Sequence, residues 1–150
     1  MKKINFLALS IVFIGLITLS SCSKETKIEK NLWKKGGEWN IESFNVKQTS
    51  TYASDNFEES YANVGTYTFN ENGTGTVKLI IDEFIETSAF TYTNTENQLM
   101  ITIDNETQYY NLIEWEKDNM KIVYAENFYE GVDGNLGSGV YKETITLKKK

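Results

Sequence analysis

From Trp39 to Leu147 the apolar residues recur at every second position rather than every 3.6, and this rhythm restricts the fold more than any other feature of the chain. Turn residues interrupt the alternation about every eight to twelve positions, the pattern of an all-β sandwich or barrel. Tyr67 and Phe69 precede Asn70-Glu71-Asn72-Gly73, a hairpin signal because Asn-Gly reaches positive φ at low cost. Val77, Leu79 and Ile81 form the return, a turn near Asp82-Glu83 leads to Phe90 and Tyr92, and Asn94-Thr95-Glu96-Asn97 leads to Leu99, Ile101 and Ile103. Asp104-Asn105-Glu106 turns into Tyr110, Leu112 and Trp115, and Lys117-Asp118-Asn119 turns into Met120, Ile122 and Tyr124. The last stretch alternates Ile145 and Leu147 with Thr144 and Thr146. Near the start, Trp39 and Ile41 share one phase and Phe44 and Val46 the other, so a bulge is expected near Glu42 and Ser43. Residues 48–64 and 127–139 are polar or glycine-rich and are expected to be long loops, with Gly131, Gly134, Gly137 and Gly139 supplying flexibility at a rim.

Eight strands joined mainly by short turns are antiparallel neighbours, and closing them on themselves removes the adhesive edges. The expected fold over residues 37–150 is therefore an eight-stranded antiparallel up-and-down barrel. Its interior is just wide enough for side chains or for one small ligand.

The amino-terminal end reads differently. Lys2 and Lys3 precede an uncharged apolar run of 16 residues, Ile4 to Leu19, so residues 1–21 are expected to be a signal peptide. A bilayer span needs about 20 such residues. The run ends in Leu19-Ser20-Ser21-Cys22, which resembles the lipobox of bacterial lipoproteins. That resemblance implies acylation of the Cys22 thiol and cleavage just before it, leaving a membrane anchor. Each buried acyl methylene contributes ~0.8 kcal/mol, so two or more chains hold stably. Ser23 after the cysteine is, by the same resemblance, compatible with sorting to the outer membrane. Residues 22–36 are charged and read as a flexible tether ending in a short helical turn, where Ile28, Leu32 and Trp33 lie at helical spacing.

Removing residues 1–21 leaves 13 lysines against 21 carboxylates, a balance of −8 that repels phosphate backbones. Nucleic acid is not an expected partner. The chain has no His, Arg or Pro and one Cys, which excludes Ser-His-Asp and Cys-His catalysis, histidine metal sites and an Arg clamp. The carboxylate pairs Glu58-Glu59 and Asp82-Glu83 are neighbours on turns, unlike the converging pairs that acid–base chemistry needs. Asp133-Gly134-Asn135 lacks the spaced ligands of a calcium loop, and Asn72 and Asn105 read as turn residues. No enzyme activity, metal or cofactor is expected.

Gly37-Glu38-Trp39 resembles the Gly-x-Trp signature of the lipocalins. With Tyr67-Thr68-Phe69-Asn70, Asn72-Gly73-Thr74-Gly75-Thr76, Tyr110-Asn111-Leu112-Ile113 and Thr144-Ile145-Thr146-Leu147 in that order, residues 30–149 resemble the lipocalin-like domain of small Gram-negative lipoproteins. The resemblance implies that Gly37 and Trp39 plug one end of the barrel. Lipocalins usually pack an Arg over that Trp; here Lys142 or Lys148 is expected to take its place by cation–π attraction. Tyr67, Tyr92, Tyr110 and Tyr124 fall on inward phases, and two readings stay open. They line a pocket for a small apolar or amphipathic ligand, or they fill the core of a tethered interaction module. In the second case Tyr52, Phe57, Tyr61, Phe128 and Tyr129 on the long loops would dock an envelope protein.

Overall fold

The computed structural model describes residues 23–82, 84–132 and 135–150, and the side chains of 130–136 are not described. The expected signal peptide, Cys22, Glu83 and Asp133-Gly134 lie outside the described residues. Strands β1 (Glu38–Ser50), β2 (Phe57–Ala62), β3 (Gly65–Phe69), β4 (Thr74–Ile81), β5 (Phe84–Asn94), β6 (Gln98–Ile103), β7 (Glu106–Trp115), β8 (Asn119–Val132) and β9 (Asn135–Lys149) follow helix α1 (Lys24–Trp33). They form one antiparallel sheet in the order β2-β1-β3-β4-β5-β6-β7-β8-β9, and β9 pairs back onto β1. The result is a closed barrel. Its eight-strand circuit counts β2 and β3 as one broken strand, since they occupy successive stretches of the same β1 edge. The break falls at Asn63 and Gly65, both at positive φ. A Cβ on Gly65 would lie 1.8 Å from the Lys78 carbonyl oxygen, so only glycine lets the chain rejoin β4 there.

The expected bulge is present. Ile41 pairs with Leu147 but Ser43 pairs with Thr146, so Glu42 is the extra residue, and both Trp39-Ile41 and Phe44-Val46 face inward. A second register shift between Leu112 and Glu114 throws Ile113 outward and returns Trp115 to the inner face.

The tether expectation needs correction: residues 24–33 are α-helix and belong to the domain. Ser23 caps the helix by accepting the Thr26 N–H, Glu25 sits in the first turn and Lys30 in the last, in keeping with the helix dipole. Ile28 and Leu32, one turn apart, are 0% exposed against the end of the barrel. At roughly 1.5–3 kcal/mol each, their burial outweighs what a charged sequence suggests. Asn31 donates to the Lys117 carbonyl at 2.9 Å and Asn94 to that of Glu25 at 3.1 Å, so the helix is fastened to two turns of that end. No helix among the described residues is long and apolar enough to cross a membrane.

Trp39 lies fully buried under α1, and its indole N–H donates to the Leu32 carbonyl at 2.9 Å. The cation over its ring is Lys149, 4.9 Å from the centroid, rather than Lys142 or Lys148. Alternation along β9 decides this: Ile145, Leu147 and Lys149 point in, whereas Lys142 and Lys148 are exposed, Lys148 lying 3.5 Å from Glu42. Gly37 has φ 64°, and a Cβ there would lie 1.9 Å from the Phe69 carbonyl oxygen. Next to this plug Tyr67, Phe69, Phe90 and Tyr92 pack edge to face or stacked, with centroids 5.0 Å apart for Phe69 and Tyr92.

Both expected long loops are largely strand. Within 48–64, β2 escapes an apolar pattern because it pairs only with β1 and exposes all its residues but Tyr61. Residues 127–132 and 135–139 extend the β8–β9 hairpin beyond the barrel body. The glycines there give room: a Cβ on Gly137 would lie 2.2 Å from the Tyr52 ring, and one on Gly139 2.3 Å from the Phe128 ring.

Leu32→Ala is expected to cost about 2–5 kcal/mol in urea unfolding, as for a core leucine, whereas a tether residue would cost nothing. Gly37→Ala, which meets both a positive φ and a backbone oxygen, is expected to lower stability by about 2 kcal/mol or more in the same measurement.

Candidate functional site

The inward stripes do not fill the barrel completely. A cavity of about 160 Å³ remains between Ile41, Phe44, Tyr67, Val77, Leu79, Ile103, Gln108, Tyr110, Glu143 and Ile145, contributed by β1, β3, β4, β6, β7 and β9. It lies toward the end opposite α1. Most of the lining is apolar, with polar groups from two tyrosines, one amide and one carboxylate. A void of ~150 Å³ is enough for a guest of benzene size, well below the ~300 Å³ at which drug-sized pockets begin.

Of the four tyrosines, Tyr67 and Tyr110 line this space and Tyr92 and Tyr124 do not. Tyr92 belongs to the plugged end, where its hydroxyl donates to the Asn70 carbonyl at 2.6 Å. Tyr124 stands at the rim, with its ring 5.9 Å from that of Tyr110 and its hydroxyl donating to Glu126 at 2.6 Å. The sequence reading missed Glu143, the group that organises the site. Glu143 Oε1 accepts from the Tyr141 hydroxyl at 2.8 Å. The Tyr110 hydroxyl lies 2.7 Å from Gln108 Oε1 and 3.1 Å from Glu143 Oε2, sharing its one proton between them. Extending the Ile145-Leu147 phase two steps back reaches both Glu143 and Tyr141, which lie between the expected loop 127–139 and the alternation of 144–147.

The electrostatics follow from this placement. Burial pushes the Tyr67 phenol up from its ordinary value, and the Glu143 charge adds to the shift. Burial likewise raises Tyr110, reinforced by Tyr67 and Glu143, and raises Tyr141, reinforced by its bond to Glu143. Tyr124 is pushed up to about 12, chiefly by its hydrogen bond to Glu126, and Tyr92 to about 12 by burial. Among the described residues no group of three His, Cys, Asp or Glu side chains could hold a metal ion.

The wall beside the site is incomplete. The β7–β8 ladder runs from Trp115↔Met120 to Asn111↔Val123 and stops, so Glu106–Tyr110 and the strand from Tyr124 onward diverge. Beyond the end of the ladder the Tyr110 and Tyr124 rings, 5.9 Å apart, keep the two strands in contact next to the cavity.

The buried phenols make stability fall in alkali. The unfolded chain ionises its tyrosines near pH 10 while Tyr67 and Tyr110 stay protonated in the fold, so above pH 10 the unfolded state binds fewer protons and gains. The urea midpoint is expected to hold from pH 7 to 9 and then decline, each such phenol contributing up to ~1.4 kcal/mol per pH unit. Replacing both by Phe should flatten that decline.

Set beside known proteins, the chain matches no family model and no curated protein.

Proposed function

We propose that this chain is a cell-envelope lipoprotein, anchored in the outer membrane through acyl chains on Cys22, whose lipocalin-like barrel binds a small apolar or amphipathic molecule. The reading is of a carrier, not of a catalyst. The observation that carries it is the mixed cavity, where apolar walls from Ile41, Val77, Leu79 and Ile145 meet Tyr67, Gln108 and Glu143 at one side of the barrel. A barrel built only for stability gains from filling such a space, because voids forfeit packing contacts. The amino terminus supports the anchored part: α1 starts two residues after Cys22 and lies across the plugged end. An anchor there would hold the plug toward the bilayer and the cavity end away from it.

A second reading is favoured by one feature. The β4–β5 hairpin tip exposes Phe84 at 64% and Ile85 at 62%, close to Ile80 at 40%, an apolar patch suited to docking an envelope protein.

Native mass spectrometry of the full chain released from membranes in mild detergent tests the carrier reading. A retained small molecule is expected in wild type and not in Val77→Phe, which fills the cavity at a cost of about 1–3 kcal/mol. Identical spectra without a guest, together with loss of partner capture in Phe84→Ser, would favour the docking reading. Cys22→Ser is expected to abolish acyl labelling and to release the protein from the membrane fraction; an uncleaved, unmodified terminus in wild type would refute the anchor.

A further inference from the structure

The polar side of the cavity has a consistent character, and it selects the kind of guest. Resting on the carrier reading above, we propose that the cavity takes a small primary amine in its ammonium form, with the charged head on Glu143 and Tyr67 and a short apolar body between Ile41, Val77 and Leu79. Three observations carry this. Every polar atom turned to the space can accept: the Glu143 carboxylate, the Gln108 amide oxygen and the phenol oxygens of Tyr67 and Tyr110. No lysine is ion-paired with Glu143 among the described residues, and Lys47, Lys78, Lys142 and Lys148 on the wall are exposed. The Tyr67 hydroxyl has no hydrogen-bond partner among the described residues, although the residue is 94% buried at 6% exposure.

Glu143 accepts the Tyr141 proton and a share of the Tyr110 proton, which leaves it lone-pair positions to spare, and a part-buried carboxylate without a cation is incompletely compensated. An ammonium group supplies three donors, matching Glu143, Tyr67 and Gln108 in number. A carboxylate or phosphate guest could accept from the Tyr67 hydroxyl, but it would meet the Glu143 charge, which repels it. Glu126, bonded to Tyr124, adds a second negative charge on the same side of the barrel. The body of the guest is limited by about 160 Å³ to a few carbons.

The test uses the full chain in mild detergent with ring-labelled tyrosine, titrated separately with butylamine, 1-butanol and butanoate, and reads the resonances of Tyr67 and Tyr110. Butylamine is expected to shift both saturably and to bind about tenfold or more tighter than 1-butanol, with butanoate weakest. Glu143→Gln should erase the preference while keeping the alcohol affinity. Should that variant not fold, Tyr67→Phe, which keeps the ring, should reduce the amine preference severalfold. Equal binding of amine and alcohol would overturn the amine assignment and leave the carrier reading standing. Silence of Tyr67 and Tyr110 toward all three probes would overturn both.

Discussion

Trp39 is where the parts of this molecule meet. Its indole N–H takes the Leu32 carbonyl of α1, its ring lies under the Lys149 ammonium of β9, and its backbone pairs with Tyr67 on one side and Lys149 on the other. A buried indole without an acceptor forfeits about 1–3 kcal/mol, so the Leu32 carbonyl at the helix end stabilises Trp39 inside, whereas the buried Trp115 Nε1 has no such partner among the described residues. Lys149 also donates to the Asn31 carbonyl. Burial lowers its pKa; Asp118 opposes that shift while Lys35 and Lys34 add to it. Helix, first strand and last strand therefore stand or fall together at this residue.

Along β9 the inward stripe changes character as it leaves that junction. Leu147 and Ile145 are packed core, Glu143 is a carboxylate held by phenols, and Tyr141 reaches back to it. One strand thus supplies both the densest and the most polar levels of the interior. The aromatic cluster of Phe69, Phe90 and Tyr92 makes the first level rigid, and the diverging β7 and β8 leave the second less enclosed. Stability is concentrated at one end so that the other can remain imperfectly packed.

How much of this was legible in the sequence depends on whether burial left a trace. The barrel, its turns and the Glu42 bulge were readable because a phase change between Ile41 and Phe44 has only one structural meaning when both sets face a core. The inward phase of Trp39 was readable too, but its cation was assigned to Lys142 or Lys148 because the parity of β9 was not followed as far as Lys149. Helix α1 carried its signal only in Ile28 and Leu32, with lysines and glutamates around them suggesting solvent. β2 and the β8–β9 extension were illegible for a plainer reason: strands that protrude past the core gain nothing from alternation, and glycines placed for the rings of Tyr52 and Phe128 look like loop glycines. Glu143 precedes the stretch 144–147 over which the alternation of β9 is clear, while Tyr92 and Tyr124 share the inward phase of Tyr67 and Tyr110 without lining the cavity.

The seam that closes the cylinder joins β1 to β9, from Trp39↔Lys149 to Ser50↔Gly139. Among the described residues these are the first and last strands in chain order. Until β9 is in place, the sheet keeps two raw margins and Trp39 lacks the Lys149 contact and its β9 pairing. Such long-range pairing is slow to form. Closure of the cylinder therefore waits for β9, which must find β8 beside it and β1 at the far end of the sheet in one step.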